Sequence, residues 1–554
     1  MMPESAAAGK PGGLSRDAGG VITVYLSIVT LLLISVTMVS LESARVAVVR
    51  TSTERYSGMA AEMLFSGYVK PLAERYGIFV LDTGADNDAA SWFEDFLKMN
   101  LEENESSRKR PFAIYGKVQE ADVSRTIKLS DSGWDMLLNE VKRCELYDLG
   151  EEGISKALGI LKKTDTSGAD PVTDDITREL KERGSAAEEA EAAAEADKAA
   201  EEADKEAGGA AETEAGPTGE GPEQKQENDD PRPGISRWIK SGILNLVMGD
   251  SPVSSRTIDT GDCSYKTGAG SRSTILDDFE DYRNVAGSLE NSRTKDLPGE
   301  DISGLSASEL LSDDADRKSR MMLLNLYIFS RFGTLRGKGL HNRKRTVLSY
   351  ETEFILFGHK SDRENLESTM TSIYALRTGL NLAYLYADGG KTAEAAKAVS
   401  GMAAAAIPAL GSLIQLLILT CWAGAEAVVD CSALAEGKKV PLWKSDSTWN
   451  LTFSQIAAIA SRGGRARDYV KNGNKGLTYK QYVMILLLTV PGEKKIIRML
   501  QLMEKNIRLE PGFGDFRFKN CIAGADFTVK AGIAPKFFRH PSEITYTCSA
   551  QYVY

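Results

Sequence analysis

The sequence predicts an α+β protein: an N-terminal transmembrane helix that continues into a stem helix, then a mostly helical head with small antiparallel sheets. Three observations predict it. Val21–Leu41 (VITVYLSIVTLLLISVTMVSL) runs 21 positions without a charged residue. Most of the remaining apolar residues recur at helical spacing. Short alternating runs appear in two places, before residue 130 and at the C-terminus.

The first element is the apolar run. At about 1.5 Å per residue it spans roughly 30 Å, the hydrocarbon thickness of a bilayer. A single lipid-buried segment satisfies its backbone only as a helix. A cleaved signal peptide would have an apolar region of about 7–15 residues. This run is longer, and its pattern continues through Val46, Val48 and Val49. Lys10 and Arg16 precede it, whereas Arg45, Arg50 and Arg55 follow it. Those charges do not favour an outside C-terminal part, but long domains often translocate regardless of charge. The expected orientation is a cytoplasmic N-terminus with the bulk extracytoplasmic.

After the span, Met59, Met63, Leu64, Tyr68 and Leu72 continue a stem helix to about Arg75, with Pro71 a point of interruption. Tyr76–Asp82 reads as a buried strand, SWFEDFLKMNLEEN as a helix, 112–130 as a strand pair, and 133–149 as another helix. This mixed order suggests a compact α+β head.

Residues 163–234 break the pattern. Within them, 181–230 hold 17 Asp/Glu against 5 Lys/Arg. The local charge is −12, so of the total −11 the rest of the chain carries about +1. With no large apolar side chain between Leu180 and Ile235, this stretch cannot offset its ordering entropy and reads as an acidic disordered linker. The predicted organisation is a tail at 1–20, a transmembrane helix at 21–41, stem and first part of the head at 42–162, the linker at 163–234, and a helical part with terminal strands at 235–554, including a loop at 251–315.

In the last region, ISRWIKSGILNLVM and ADRKSRMMLLNLYIFSRFGTL read as helices, and 346–359 as a strand. Ser361 or Asp362 caps the next helix, and Thr392 begins an Ala-rich one. Residues 398–425 carry no charge and are long enough for a second span. Pro408, Gly411 and Gln415 favour a buried core helix instead. Two helices broken at Pro491-Gly492 follow, then β-type runs, with Tyr546, Cys548, Ala550 and Tyr552 alternating on one face.

Chemistry is sparse. No basic stripe marks a nucleic-acid partner. Three histidines (His341, His359, His540) and no CxxC pair give no metal set. Neither a phosphate-loop, dinucleotide, zincin nor nucleophile-elbow pattern occurs. Asp388–Thr392 is the nearest phosphate-loop mimic, and reads better as a helix–helix turn. No catalytic, cofactor or metal residue is therefore assigned. The candidate polar cluster is Glu351, Glu353, Arg377, Glu426 and Asp430. Paired carboxylates can do acid/base work; Glu426 and Asp430 share a helix face at i, i+4. The competing reading has them anchor Arg377 or Lys444 inside the head. Cys521 and Cys548 could form a disulfide after export, or be small buried apolar residues. Trp422, Trp443 and Trp449 read as core.

GGVITVYLSIVTLLLISVTMVSLESARV, YVKPLAERYGIFVLD, LSYETEFILFGHKSDRENL, WAGAEAVVDCSALAEGKKVPLWKSDSTW and GLTYKQYVMILLLTV carry a resemblance. The chain resembles an uncharacterised family of single-pass membrane proteins found near tight-adherence (Flp-type) pilus genes of Gram-positive bacteria, with a TadE/TadG-like N-terminus. The resemblance implies a non-enzymatic, membrane-anchored, pseudopilin-like component of a pilus or related secretion machine. Its partners would be the lipid bilayer and pilus-assembly or pseudopilin proteins. It carries no functional residue across. Pilin-like processing motifs have a Glu five positions after the cleavage Gly; counting from Gly20, Tyr25 stands there. This departure implies a permanent anchor rather than a subunit extracted into a fibre. An extracytoplasmic receptor or enzyme is the alternative, and a two-span membrane protein the third reading.

Overall fold

A computed structural model describes residues 14–84, 89–102, 115–162, 231–240, 242–266, 317–337, 345–400, 408–471, 475–536 and 543–554. The expected linker falls outside these residues from 163 to 230, as does most of the expected 251–315 loop. Two compact units emerge. The first comprises Met1–Ala73, Phe79–Met136 and Asn520–Tyr554, the second Glu74–Ile78 and Leu137–Lys519. This division differs from the boundaries read from sequence, because the C-terminal strands join the N-terminal helix in the first unit.

In the first unit, helix α1 (Leu14–Phe65) is 52 residues long, so the last part of the N-terminal tail is already helical. The stem ends at Phe65 rather than Arg75. Gly67 turns the chain, the Val69 N–H donates to the Val80 carbonyl at 2.9 Å, and a separate short helix α2 (Lys70–Tyr76) begins. Pro71 sits in its first turn, where a missing N–H costs nothing. Strand β1 (Leu81–Asp82) and helix α3 (Ala89–Leu101) follow.

The predicted strand pair at 112–130 is instead one strand, β2 (Lys117–Ile127). Its sequence lacks a tight-turn signal, and its partner comes from the C-terminus. Strands β3 (Cys521–Ile522), β4 (Gly524–Ile533) and β5 (Ile544–Val553) close the chain. β1 pairs with β3, and the antiparallel sheet has the order β2-β4-β5. The predicted alternation in β5 holds: Tyr546, Cys548, Ala550 and Tyr552 are half-buried while the residues between them are exposed. Their face packs on α1. Tyr546 donates to the Val49 carbonyl at 2.9 Å, Cys548 Sγ lies 3.7 Å from Ser57 Oγ, and the Phe65 and Tyr552 rings stack at 4.6 Å. Phe93 of α3 stacks on Phe527 of β4 at 4.2 Å.

The second unit is helical. It receives α4 (Asp131–Lys162) and contains α5 (Arg232–Lys240), α6 (Ile243–Met248), α7 (Arg317–Arg331), α8 (Glu351–Phe357), α9 (Asp362–Ala387), α10 (Gly389–Ser400), α11 (Pro408–Ala435), α12 (Phe453–Arg462), α13 (Tyr479–Thr489) and α14 (Gly492–Ile507). Gly242, at φ 103°, splits the single helix predicted at 235–248 into α5 and α6. Ser361 caps α9 in a capping box with Glu364. The strand predicted at 346–359 is α8. All of Glu351–Leu356 is buried, and an element buried on every side has no period to separate strand from helix. Gly358 ends it in the left-handed conformation, its N–H donating to the Phe354 carbonyl at 2.7 Å.

α11 is the run weighed as a second span. Its most apolar stretch is 83% buried, packed against α9 and its neighbours. It is the core helix of this unit. Trp422 and Trp449 meet edge-to-face at 6.1 Å in that core, whereas Trp443, expected with them, is 43% exposed.

Candidate functional site

Three of the five candidate polar residues come together. Arg377 and Asn381 lie one turn apart on α9, and Glu426 and Asp430 one turn apart on α11. Lys444 enters from the segment between α11 and α12. Asp430 Oδ2 accepts from Arg377 Nε and Asn381 Nδ2, both at 3.1 Å. Its Oδ1 accepts from Lys444 Nζ at 2.7 Å. Glu426 Oε1 takes Lys444 Nζ at 2.7 Å and the Asn450 amide at 2.9 Å, and Oε2 takes the Leu451 amide at 2.9 Å. Arg377 also donates to the carbonyls of Pro441 and Leu442 and to Asn381 Oδ1 at 2.7 Å.

All four charged side chains are 1% exposed or less, and their formal charges cancel. Burial opposes ionisation of Asp430, but the Lys444 and Arg377 charges overcome it and hold its carboxyl below the usual range. Burial, with Asp430 beside it, pushes Glu426 up against the pull of Lys444. Each carboxylate oxygen here has a donor, and no position is open to a reacting group. The set acts as a clamp joining α9, α11 and the 440–451 segment.

Glu351 and Glu353 stand apart from it. They occupy the first turn of α8 and hold the turn that follows α7. Glu351 accepts from the Gly333 amide and from Asn506 Nδ2, both at 2.9 Å, with Arg75 at 3.7 Å. Glu353 Oε1 accepts from the Leu335 amide at 2.9 Å and the Tyr479 hydroxyl at 2.7 Å. Burial raises both carboxyls, Glu353 to about 7. The five candidates thus form two separate buried anchors. Lys444 as an anchor was legible from its charge; Asn381, Asn450 and Asn506 were not, because an asparagine carries no sequence signal for burial.

The remaining candidates resolve similarly. Lys391 Nζ is 2.7 Å from Asp446 and also pairs with Asp388, so the Asp388–Thr392 stretch is the helix–helix turn between α9 and α10. Cys521 lies in the two-stranded sheet and Cys548 in the three-stranded one, and the two thiols are not joined. Strand alternation turns Cys548 toward Ser57 of α1.

The other outstanding feature is the apolar half of α1. Along it Tyr25, Leu26, Leu31 and Ile34 are exposed, Leu31 to 72%, and its most apolar stretch has no buried residue. Ser27 and Thr30 return their hydroxyls to the carbonyls of Thr23 and Leu26, each at 2.7 Å, leaving the surface without an open polar group at those positions. Where the covered half begins, Glu42 is buried and accepts from Arg45 at 3.0 Å and from the Lys536 amide at 3.3 Å.

These features define an α+β protein with a membrane-length apolar helix projecting from an antiparallel sheet. The chain belongs to the family of unknown function DUF5702, whose model matches residues 221–533, more than half its length. That match lies outside the apolar half of α1. No curated protein and no solved structure matches the chain.

Proposed function

We propose that this chain is a membrane-anchored, non-enzymatic, pseudopilin-like component of a tight-adherence pilus or a related secretion and assembly machine. One observation carries the reading. A single continuous helix is bare and apolar over its first half and lies along an antiparallel sheet over its second, the arrangement of pilin-like proteins. Exposing so much contiguous apolar surface to water is unfavourable, and a bilayer removes the cost. In this reading the N-terminus is cytoplasmic and the bulk extracytoplasmic. Tyr25 in place of the pilin glutamate favours a helix that stays in the membrane as an anchor.

The receptor or enzyme reading has no comparable support. Arg377, Glu426 and Asp430 are enclosed and paired with one another, with Lys444 and Asn381 and with backbone groups, and Glu351 and Glu353 hold backbone amides and the Asn506 and Tyr479 side chains, with Glu353 Oε2 buried and unbonded.

Affinity capture of the intact protein from membranes of a strain that assembles the pilus tests the proposal. Recovery of pilus-assembly or pseudopilin proteins supports it, and their absence overturns the partner assignment. Protease digestion of intact cells should remove the sheet unit; full protection would reverse the orientation.

A further inference from the structure

Two stretches of the second unit meet with no acid in either. Residues 231–249 carry Arg232, Arg237 and Lys240, residues 451–467 carry Arg462, Arg465 and Arg467, and neither stretch holds an Asp or Glu. They include α5 and α12, which lie against each other. A Cβ at Gly234 would run into the Ala460 backbone, and Trp238 Nε1 donates to the Gly464 carbonyl at 3.0 Å. Arg237 and Arg465 are each one residue from an end of that hydrogen bond, and Arg462 is two residues away. All three are exposed. Acids do not balance them. Among the described residues Arg237 and Arg462 have no hydrogen-bonded or ionic partner. Arg465 has Asp250 at 3.5 Å, in a pair exposed on both sides and therefore worth little. Asp250 and Asp468, which immediately follow the two stretches, leave the face at +4 in a chain whose total is −11.

We propose that this basic face is a docking site in cis, and that its occupant is the acidic run 212–230 of the same chain. From Glu212 to Asp230 the run holds seven Asp/Glu against the single Lys225, a net −6. Its sign and size match the face. It also ends there: Pro231, buried, follows Asp230 directly, and its carbonyl accepts the Ile235 amide at 2.9 Å as α5 begins.

Tethering makes the encounter intramolecular, at an effective concentration in the millimolar range for a short connection. A free polyanion must outcompete that concentration, so the run screens the face from other anionic partners. Attraction between a charge block and an exposed cationic face is long-ranged at low salt and needs no fixed side-chain register. Docking through charge therefore suits a run of Glu, Asp, Gly and Pro that has no large apolar side chain to bury. The proposal is independent of the membrane-anchor reading, since every residue in it belongs to the second unit.

Pulsed electron paramagnetic resonance on the full chain in detergent tests this, with spin labels at Thr218→Cys in the run and Ser461→Cys on the exposed side of α12. The native cysteines are buried or half-buried and compete poorly for the label. Docking predicts one narrow population of distances at low salt. An undocked tether from residue 218 to 231 would instead spread over about 20 Å r.m.s., as a flexible coil of that length does. Salt at about 1 M, where the Debye length falls to about 3 Å, should broaden the docked distribution. Arg237→Glu with Arg462→Glu and Arg465→Glu should broaden it at low salt, with circular dichroism and melting unchanged to show that the fold is kept. Adding Glu220→Lys, Glu223→Lys and Glu227→Lys to that variant exchanges the signs on both sides and should restore the narrow population. A broad distribution in the unmodified charge background overturns the proposal and leaves the face open to an external polyanion. A narrow distribution indifferent to salt and to the arginines, or no recovery on exchanging the signs, overturns it equally.

Discussion

Arg377 and Asp430 form an ion pair at 3.1 Å with both side chains at 1% exposure or less, on α9 and α11, the two helices at the centre of the second unit. Lys444 completes the arrangement from the opposite side of Asp430 at 2.7 Å. The formal charges of Arg377 and Lys444 balance those of Glu426 and Asp430, so removing any one member alone leaves a charge uncompensated.

Removing one partner should therefore be costly. Asp430→Ala leaves Arg377 and Lys444 buried with a single carboxylate between them. The expected loss is about 3–5 kcal/mol, typical of an orphaned buried charge. Urea denaturation or thermal melting of the full chain in detergent measures it. A loss under about 1 kcal/mol would mean that solvent reaches the cluster.

Glu353 predicts a pH dependence. Its folded-state carboxyl titrates near 7, above the ordinary 4.5, because burial disfavours the charged form. Between these values the folded protein holds a proton that the unfolded chain has released. This contribution to stability is present below pH 4.5 and is lost as the pH rises through about 7. Glu353→Gln abolishes the titration. Its melting temperature should exceed that of the wild type more at pH 8 than at pH 5, and an identical difference at both would refute the assignment.

Lys495 predicts the opposite slope. It donates to Asn325 Oδ1 at 2.7 Å and the Leu487 carbonyl at 3.0 Å, and burial lowers it from 10.5 to about 8. Above pH 8 the folded state gives up a proton that the unfolded chain keeps until near 10.5, so this term stabilises progressively across that window. Lys495→Met should flatten the alkaline side of the melting profile. Retention of the wild-type slope would assign it to other groups.

The apolar half of α1 predicts membrane retention. Arginines at Leu31 and Ile34, mid-span and exposed, should each disfavour insertion by about 2.5–3.5 kcal/mol. The doubly substituted chain should move from the membrane pellet to the alkaline-wash supernatant. If it pellets as the wild type does, the helix is held by something other than lipid.

By itself, the sequence determined the elements whose signal is local. Val21–Leu41 is apolar over a membrane length, Ser361 and Glu364 write a capping box, Pro491 breaks two helices, and the alternation from Tyr546 to Tyr552 identifies an edge-on strand. Tertiary structure decided everything that depends on distant partners. The segment at 346–359 became helix α8 because burial on all sides erased its period. β2 found β4 rather than a local hairpin because the pairing joins residues far apart in the chain. Glu351 and Glu353 parted from Glu426 and Asp430 because which amides and cations surround a buried carboxylate is fixed by packing, and packing leaves no mark at the carboxylate's own position.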